Sequence, residues 1–335
     1  MSNKFYSNFK KFIIINHNFL LFLLLIVVVL NIKTPYIVKA PGGTMSLSDR
    51  VYINGKKLSN DYNTTYVKVM EGKLAAIIAS YIMPNWDLEK YEEYSGDTNL
   101  TYDELNEVEK LMMRESNNIA IITALEKANV DFELVNNKVV VYYKYEEYDN
   151  KLKIGDEINK CNDLVISNIN DLKTCVNNST DKVVLNVKRK NKEINLDVNT
   201  YFDGESKVIG IAVLNDFDIS SKYNIKIIAT SSESGSSGGF MTALAIYTDI
   251  AKLNIPKNIK IAGTGTIEED EKVGKIDGIK YKLLGSEKDH VDIFFVPTDN
   301  YKEALKVKKK YNLKLKLVEV SKVDDAINYL NSITK

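Results

Sequence analysis

A loop of serines and glycines stands directly before an apolar segment and has the composition of a turn that presents a nucleophile. Residues 234–239 read Ser-Gly-Ser-Ser-Gly-Gly, and residues 240–247 read Phe-Met-Thr-Ala-Leu-Ala-Ile-Tyr, which predicts a buried helix. A helix N-terminus offers unpaired N–H groups and positive dipole, which favour a nearby oxyanion. A serine hydroxyl held there can attack a carbonyl carbon. Serine- and glycine-rich segments are also common flexible connections, so the loop alone leaves both interpretations open.

A serine nucleophile needs a base, and the composition leaves few candidates. The chain has two histidines: His17 lies in an N-terminal apolar segment and His290 lies among charged residues. A Ser-His-Asp triad would therefore have to use His290, around which no supporting motif stands. A lysine can replace histidine where burial lowers its pKa by disfavouring the ammonium form, and Ser-Lys dyads are a variant of the triad.

Residues 261–284 contain a pattern that points to one lysine. They read Ile-Ala-Gly-Thr-Gly-Thr-Ile-Glu-Glu-Asp-Glu-Lys-Val-Gly-Lys-Ile-Asp-Gly-Ile-Lys-Tyr-Lys-Leu-Leu. This segment resembles the proteolytic domain of the Lon protease family, in which a strand ending in Thr-Gly precedes a hairpin, a Gly-Gly turn and a catalytic lysine. The family's Ile-Gly-Gly-x-x-x-Lys pattern implies that Lys282, rather than Lys280, is the base. The resemblance also implies that Thr264 hydrogen-bonds this lysine.

The serine-rich loop fits the same family. Lon-type proteases commonly carry Gly-Pro-Ser-Ala-Gly around the nucleophile, and residues 235–239 read Gly-Ser-Ser-Gly-Gly here. The resemblance therefore implies that Ser237 is the nucleophile and that Gly235, Ser236 and Gly238 form the oxyanion loop. Because Ser236 replaces the proline and Gly238 the alanine, we expect a less rigid loop.

The first glycine of the Gly-Gly turn is also replaced, by Asp277. A carboxylate near Lys282 would raise the pKa of the lysine and oppose the neutral form that base catalysis requires. The alternative is that Asp277 points to solvent and has no effect on the lysine. The other lysines of this hairpin are predicted to be solvated charges: Lys272, Lys275 and Lys280.

The overall composition argues against several functional classes. The chain has 45 basic and 45 acidic residues, so its net charge of zero gives no support to a nucleic-acid partner. Its two histidines and two cysteines lack metal-ligand spacing, and we expect neither a metal nor a cofactor. No Gly-x-x-x-x-Gly-Lys-Ser/Thr loop for ATP is present. Cys161 and Cys175 fall in one predicted domain, where we expect two unpaired thiols rather than a disulfide.

The N-terminus predicts a membrane anchor. Residues 12–32 are apolar apart from a polar insert at 16–18 and Asn31, and a bilayer-spanning helix needs about 20 residues. Residues 19–30 also fit the apolar region of a signal peptide, but Lys39 makes residues 38–40 a poor cleavage site. We expect a retained anchor. The lysines before it, Lys4, Lys10 and Lys11, place the N-terminus in the cytoplasm and the chain after residue 32 outside.

The region from residue 33 to residue 130 is predicted to be a scaffold that packs on the protease domain. Its predicted extended stretches are residues 36–44, closed by a turn, 51–53 and 65–69. Its two predicted helices are residues 74–83 and 102–128. Apolar residues at helical spacing predict a packed face on the second helix: Leu105, Val108, Leu111 and Met112.

Residues 131–200 resemble a PDZ domain. The matching features are a strand at 138–143, a Leu-x-x-Gly-Asp-x-Ile turn at 152–158, a helix at 169–176 capped by Asn168, and a hairpin at 183–198. PDZ domains bind extended peptides by adding a strand to a sheet edge. This resemblance implies a peptide-binding role.

The order of anchor, PDZ domain and protease resembles the membrane-anchored, PDZ-containing Lon-like proteases of Gram-positive bacteria. The predicted fold class is α/β (α+β), with a cytoplasmic N-terminus (1–11), a transmembrane anchor (12–32), an extracellular scaffold (33–130), a PDZ-like domain (131–200) and a Lon-like proteolytic domain (201–335).

The resemblance implies an ATP-independent serine endopeptidase that cleaves exported peptides or small membrane proteins outside the cytoplasmic membrane. Its PDZ domain would position the substrate, and self-association into rings is expected from the family. The alternative is a non-catalytic extracellular PDZ adaptor in which the Lon-like domain is only a scaffold. A triad hydrolase that uses His290 is the third hypothesis.

Overall fold

The structure is a computed structural model that describes residues 2–96, 98–253, 259–268 and 270–333 and has a mixed α/β fold. Its helices are α1 (Ser2–Leu30), α2 (Leu74–Ile82), α3 (Tyr91–Ser95), α4 (Tyr102–Lys127), α5 (Ile169–Asn177), α6 (Gly239–Ile250), α7 (Ile279–Lys288), α8 (Thr298–Tyr311) and α9 (Val323–Ile333).

The strands are β1 (Lys33–Ser46), β2 (Val51–Ile53), β3 (Lys56–Lys57), β4 (Tyr62–Lys73), β5 (Asp87–Lys90), β6 (Phe132–Lys144), β7 (Glu157–Cys161), β8 (Leu164–Val165), β9 (Lys182–Arg189), β10 (Lys192–Asn199), β11 (Tyr201–Asp203), β12 (Ser206–Val208), β13 (Ile211–Ser221), β14 (Ile225–Ile227), β15 (Ile261–Gly263), β16 (Thr266–Ile267), β17 (Val273–Gly274), β18 (Ile293–Pro297) and β19 (Lys316–Val320). The chain divides into two compact units, one from 1–42 and 67–99 and the other from 43–66 and 100–335.

The first unit begins with the long apolar helix α1. Its 26 residues from Phe5 to Leu30 form a helix of about 39 Å, longer than the ~30 Å hydrocarbon core of a bilayer. The polar insert is accommodated within the helix, since Asn16 Nδ2 donates to the Phe12 carbonyl at 2.9 Å and His17 Nδ1 lies 3.0 Å from the Ile14 carbonyl. The helix is thus long and apolar enough to cross a membrane, a test that a signal sequence also passes.

Strand β1 is longer than the sequence predicts. The turn expected after residues 36–44 comes later, at residues 48–50, because the strand continues to Ser46. In the second unit, the Thr44 N–H donates to Asp289 Oδ2 at 2.6 Å, and a β-carbon on Gly43 would lie 2.8 Å from the same oxygen. The glycine here permits close approach of a carboxylate to the strand rather than a reversal of the chain.

The core of the second unit surrounds the buried helix α6. Side chains of α4, α9 and strand β18 pack in one core with those of α6, among them Leu125, Leu330 and Phe295 beside Leu244 of α6. Strands β15, β18 and β19 run parallel, and β15 also pairs in parallel with the start of β4. Thr264 follows the carboxyl end of β15, the edge of a parallel sheet at which ligand-binding groups usually stand.

Residues 139–213 contribute to a separate apolar core beneath a six-stranded sheet in the order β10–β9–β7–β6–β13, in which β8 also pairs with β7. The predicted helix and its cap are confirmed: Asn168 Oδ1 accepts from the Asp171 N–H at 3.0 Å. The predicted hairpin is also confirmed, since β9 and β10 pair in register around Lys190 and Asn191. Both turn residues have positive φ, 47° and 63°, the conformation of a two-residue turn that follows strand twist.

The expectation of two unpaired thiols is wrong, because Cys161 and Cys175 form a disulfide. The end of β7 and the inner face of α5 bring their Cα atoms to 6.2 Å, within the range that a disulfide spans. Both residues lie in the buried core of this sheet. The pairing depends on how the helix packs on the strand, which cysteine spacing in the sequence does not reveal.

Replacing both cysteines with serine is expected to lower the free energy of unfolding by ~2–3 kcal/mol, because the bond closes a loop with a sequence separation of 14 residues. Denaturant unfolding of the two proteins under oxidising conditions measures this difference. A reductant should destabilise the wild type and leave the double variant unchanged. Equal stabilities of the oxidised wild type and the double variant would contradict the prediction.

Candidate active site

Ser237 lies in the short loop that leads into α6. The helix begins at Gly239, with Gly238 at its N-cap, as the loop-then-helix prediction requires. The Gly239 N–H donates to the Ser236 carbonyl at 3.1 Å, which closes a tight turn around Ser237. Gly235 has φ of +91°, a left-handed conformation that favours glycine. The serine is therefore presented, half-buried, at the N-terminus of a buried helix.

Lys282 lies on the first turn of α7, which starts after the left-handed residue Gly278 (φ 73°). The lysine is 3% exposed. Its helical neighbours Ile279 and Leu283 are fully buried in an apolar cluster with Phe294. The turn and the helix thus carry a long cationic side chain into the interior of the protein.

The structure brings together three of the residues singled out in the sequence. Lys282 Nζ lies 2.6 Å from Ser237 Oγ and donates to Thr264 Oγ1 at 2.9 Å. Thr264 is fully buried, and its hydroxyl donates to the Ser237 carbonyl at 3.1 Å. Lys280 lies apart, with its ammonium 5.2 Å from the ring centre of Tyr281. Of the two lysines considered, the one in contact with Ser237 is Lys282.

The environment of Lys282 favours the neutral amine. Burial lowers its pKa from 10.5 to about 7, and the negative charge of Asp277 opposes part of that shift. Asp277 is exposed to solvent on the turn before α7, as one of the two interpretations expected. Its charge nevertheless raises the pKa of Lys282, as the other interpretation expected. Among the described residues, no carboxylate forms an ion pair with Lys282.

Backbone hydrogen bonds fix the peptide groups around Ser237. The Ser237 carbonyl accepts from the Gly265 N–H at 2.9 Å as well as from Thr264. Since the N–H and C=O of trans peptides point in opposite directions, the Gly238 N–H points away from those partners. Gly235, also predicted in the oxyanion loop, donates its N–H to the Glu109 carbonyl at 3.0 Å.

Two residues of α4 that the sequence did not single out contact this loop. Ser116 Oγ donates to the Ser236 carbonyl at 2.9 Å, and Ser234 Oγ donates to Glu109 Oε2 at 2.8 Å. More than one hundred residues separate the members of each pair. The periodicity of α4 indicated a packed face, but no local pattern distinguishes a serine that bonds a distant loop from one that faces solvent.

The structure gives no support to the triad hypothesis. His290 is exposed, just past the end of α7, and the eight residues from Lys282 correspond to about 12 Å along a helix. The group within hydrogen-bonding distance of Ser237 Oγ is instead the Lys282 amine. In the part of the chain that the structure describes, no group of three acidic, histidine or cysteine side chains is arranged to hold a metal.

Two comparisons with known proteins gave different results. A comparison with curated proteins found no significant match. Residues 213–332 match the family model of the Lon protease (S16) C-terminal proteolytic domain. The matched region begins in β13, ends in α9 and contains Ser237, Thr264 and Lys282. This part of the chain is therefore similar to the proteolytic domain of Lon proteases, which supports the activity of a serine peptidase.

Proposed function

We propose that the chain is an ATP-independent serine endopeptidase in which Ser237 is the nucleophile and Lys282 the general base. The observation that supports this most is the 2.6 Å contact between Lys282 Nζ and Ser237 Oγ. A lysine with a pKa of about 7 is neutral in a large fraction of molecules at neutral pH, which is the state a base requires. The contact lies within a region similar to Lon proteolytic domains.

The geometry supports a specific direction for the first proton transfer. One N–H of neutral Lys282 is donated to Thr264, and its lone pair is directed to the Ser237 hydroxyl. Ser237 Oγ attacks the carbonyl carbon of the peptide while its proton passes to Lys282 Nζ. Backbone N–H groups at the start of α6, with that of Gly238 among them, stabilise the oxyanion that forms.

The later steps return every group to its starting state. The Lys282 ammonium donates its proton to the leaving amine as the peptide C–N bond breaks, which leaves an acyl-enzyme on Ser237. Lys282, neutral again, accepts a proton from water as the water oxygen attacks the ester carbonyl. Collapse of the second intermediate releases the new carboxyl terminus and reprotonates Ser237.

The proposed site of action is outside the cytoplasmic membrane, with α1 as a single-pass anchor and the N-terminus in the cytoplasm. The length of α1, the lysines on its N-terminal side and the disulfide between Cys161 and Cys175 support this location. The proposed substrates are exported peptides or small membrane proteins, positioned by the PDZ-like region at 131–200. We also propose that the protein forms homo-oligomers and that it is related to the membrane-anchored Lon-like proteases of Gram-positive bacteria.

Peptide cleavage by the purified full-length protein tests the activity. The protein in detergent is incubated with a panel of unstructured peptides without nucleotide, and the products are identified by mass spectrometry. We expect cleavage by the wild type, no effect of added ATP, and no cleavage by Ser237→Ala. Peptide binding of equal strength by both proteins, with no cleavage by either, would favour the non-catalytic PDZ adaptor instead.

A second prediction concerns topology. Protease added to intact cells stripped of their wall is expected to digest the region after residue 32, because the lysines precede the apolar segment. An N-terminal tag should remain on the full-length protein and be protected. Protection of the C-terminal region until the membrane is lysed would contradict the orientation. Loss of the tag from the mature protein would identify a cleaved signal peptide.

A further inference from the structure

We infer that α4 is the positioning element of the nucleophile loop, and that Ser116 with Glu109 holds residues 234–239 in the conformation that aligns Ser237 with Lys282. This inference rests on the proposed function. Three hydrogen bonds support it, one at each of three consecutive loop residues. Ser234 Oγ donates to the Glu109 carboxylate, the Gly235 N–H donates to the Glu109 carbonyl, and the Ser236 carbonyl accepts from Ser116 Oγ, at 2.8, 3.0 and 2.9 Å.

The spacing of Glu109 and Ser116 along α4 allows both residues to contact the loop. Glu109 and Ser116 are seven residues apart, which is two helical turns, so their side chains lie on one face of α4. Ser116 is buried at 5% exposure, so solvent has little access to replace its hydrogen bond. Both the backbone carbonyl and the carboxylate of Glu109 accept hydrogen bonds from the loop.

The contact between α4 and the loop is close and leaves no room for adjustment. A β-carbon on Gly239 would lie 2.2 Å from Ser116 Oγ and 2.8 Å from Ile267 Cγ2. Both distances are shorter than any van der Waals contact of such a carbon. The glycine that begins α6 therefore permits the approach of Ser116 to the Ser236 carbonyl, and the two residues form one packed unit.

The Ser116 bond acts directly on the nucleophile's backbone. The Ser236 carbonyl accepts two donors, the Ser116 hydroxyl and the Gly239 N–H, so the peptide plane between residues 236 and 237 is fixed. That plane sets the direction of the Ser237 side chain and of its N–H. Because Ser236 stands where the related motif has proline, the loop itself restricts little of this geometry. We assign the restriction to α4, since small misplacements of a nucleophile cost large factors in rate.

The test compares Ser116→Ala with Thr123→Val in the full-length protein. Both changes remove a buried hydroxyl from α4, but Thr123 is two turns further on, and none of the loop's hydrogen bonds described above involves it. We expect Ser116→Ala to lower kcat by ~10-fold or more while KM changes less than ~2-fold. The midpoint of the pH–rate profile should not move, because Lys282 remains buried. Thr123→Val should match wild-type kcat.

Hydrogen exchange of the loop amides provides a readout that does not need activity. The Gly239 N–H shares its acceptor with Ser116, so Ser116→Ala is expected to speed its exchange by ~10-fold or more relative to Thr123→Val. Equal exchange and equal kcat in the two variants would overturn the inference. If the wild type cleaves no peptide, the proposed function fails, while faster exchange in Ser116→Ala alone would still support the positioning role of α4.

Discussion

Replacing either Ser237 or Lys282 with alanine is expected to lower kcat/KM for peptide cleavage by ~10³-fold or more. Lys282→Ala removes the group within 2.6 Å of the Ser237 hydroxyl, and Ser237→Ala removes the atom that forms the acyl-enzyme. Since the two residues act as one catalytic unit, the double variant should have about the same kcat/KM as either single variant. Initial rates with one peptide, together with circular dichroism to establish folding, measure this expectation.

Lys280→Ala is the matched control for the lysine. It removes a cation two residues away on the same helix, whose ammonium lies against the ring of Tyr281 rather than at Ser237. Activity within about threefold of wild type is expected, because a surface charge of this kind contributes little. Loss of activity in Lys280→Ala with retained activity in Lys282→Ala would identify Lys280 as the base. Activity in Ser237→Ala would exclude that serine as the nucleophile.

The cleavage rate is expected to rise with pH through a midpoint near 7. The ammonium form of Lys282 cannot accept a proton, so a tenfold fall in rate per pH unit is expected below its folded-state pKa of about 7. At pH 5 the rate should be ~100-fold below its plateau at alkaline pH. The pH profile of initial rates measures the midpoint, with protein stability followed over the same range.

Asp277→Gly separates the two contributions to that midpoint. The carboxylate raises the pKa of Lys282 against the effect of burial, so its removal is expected to move the midpoint to lower pH and leave the plateau rate unchanged. Asp277→Glu keeps the charge and should keep the midpoint close to that of the wild type. A midpoint near 10 in the wild type, or a rate that falls as pH rises, would argue against a buried lysine as the base.

Local features of the site and of the rest of the fold were predictable from the sequence because local interactions produce them. The glycines before α6 and the apolar run that follows specify a turn and a buried helix within a few residues of each other. The Asn168 cap and the turn at residues 190–191 likewise depend on neighbours in the chain. Each of these elements stands where the sequence predicts it.

Long-range contacts decided the rest. Strand β1 continues past Gly43 to Ser46, where the Thr44 N–H donates to a carboxylate from far along the chain, and the two cysteines pair because α5 packs on β7. Ser116 gains its contact with the loop in the same way, across a separation of 120 residues. Burial of the lysine amine is also a property of the packed interior, since hydropathy patterns treat Lys282 and Lys280 alike.

The sequence by itself determined which groups are present and which local elements bear them: a serine before a helix, a lysine after a glycine turn, an apolar N-terminal helix. Only the tertiary structure decided that Ser237 and Lys282 lie 2.6 Å apart, that burial lowers the pKa of this lysine, and that α4 contacts the loop. The physical reason is that desolvation and hydrogen-bond geometry depend on every atom packed around a group, whereas turn and helix signals depend on a few adjacent residues.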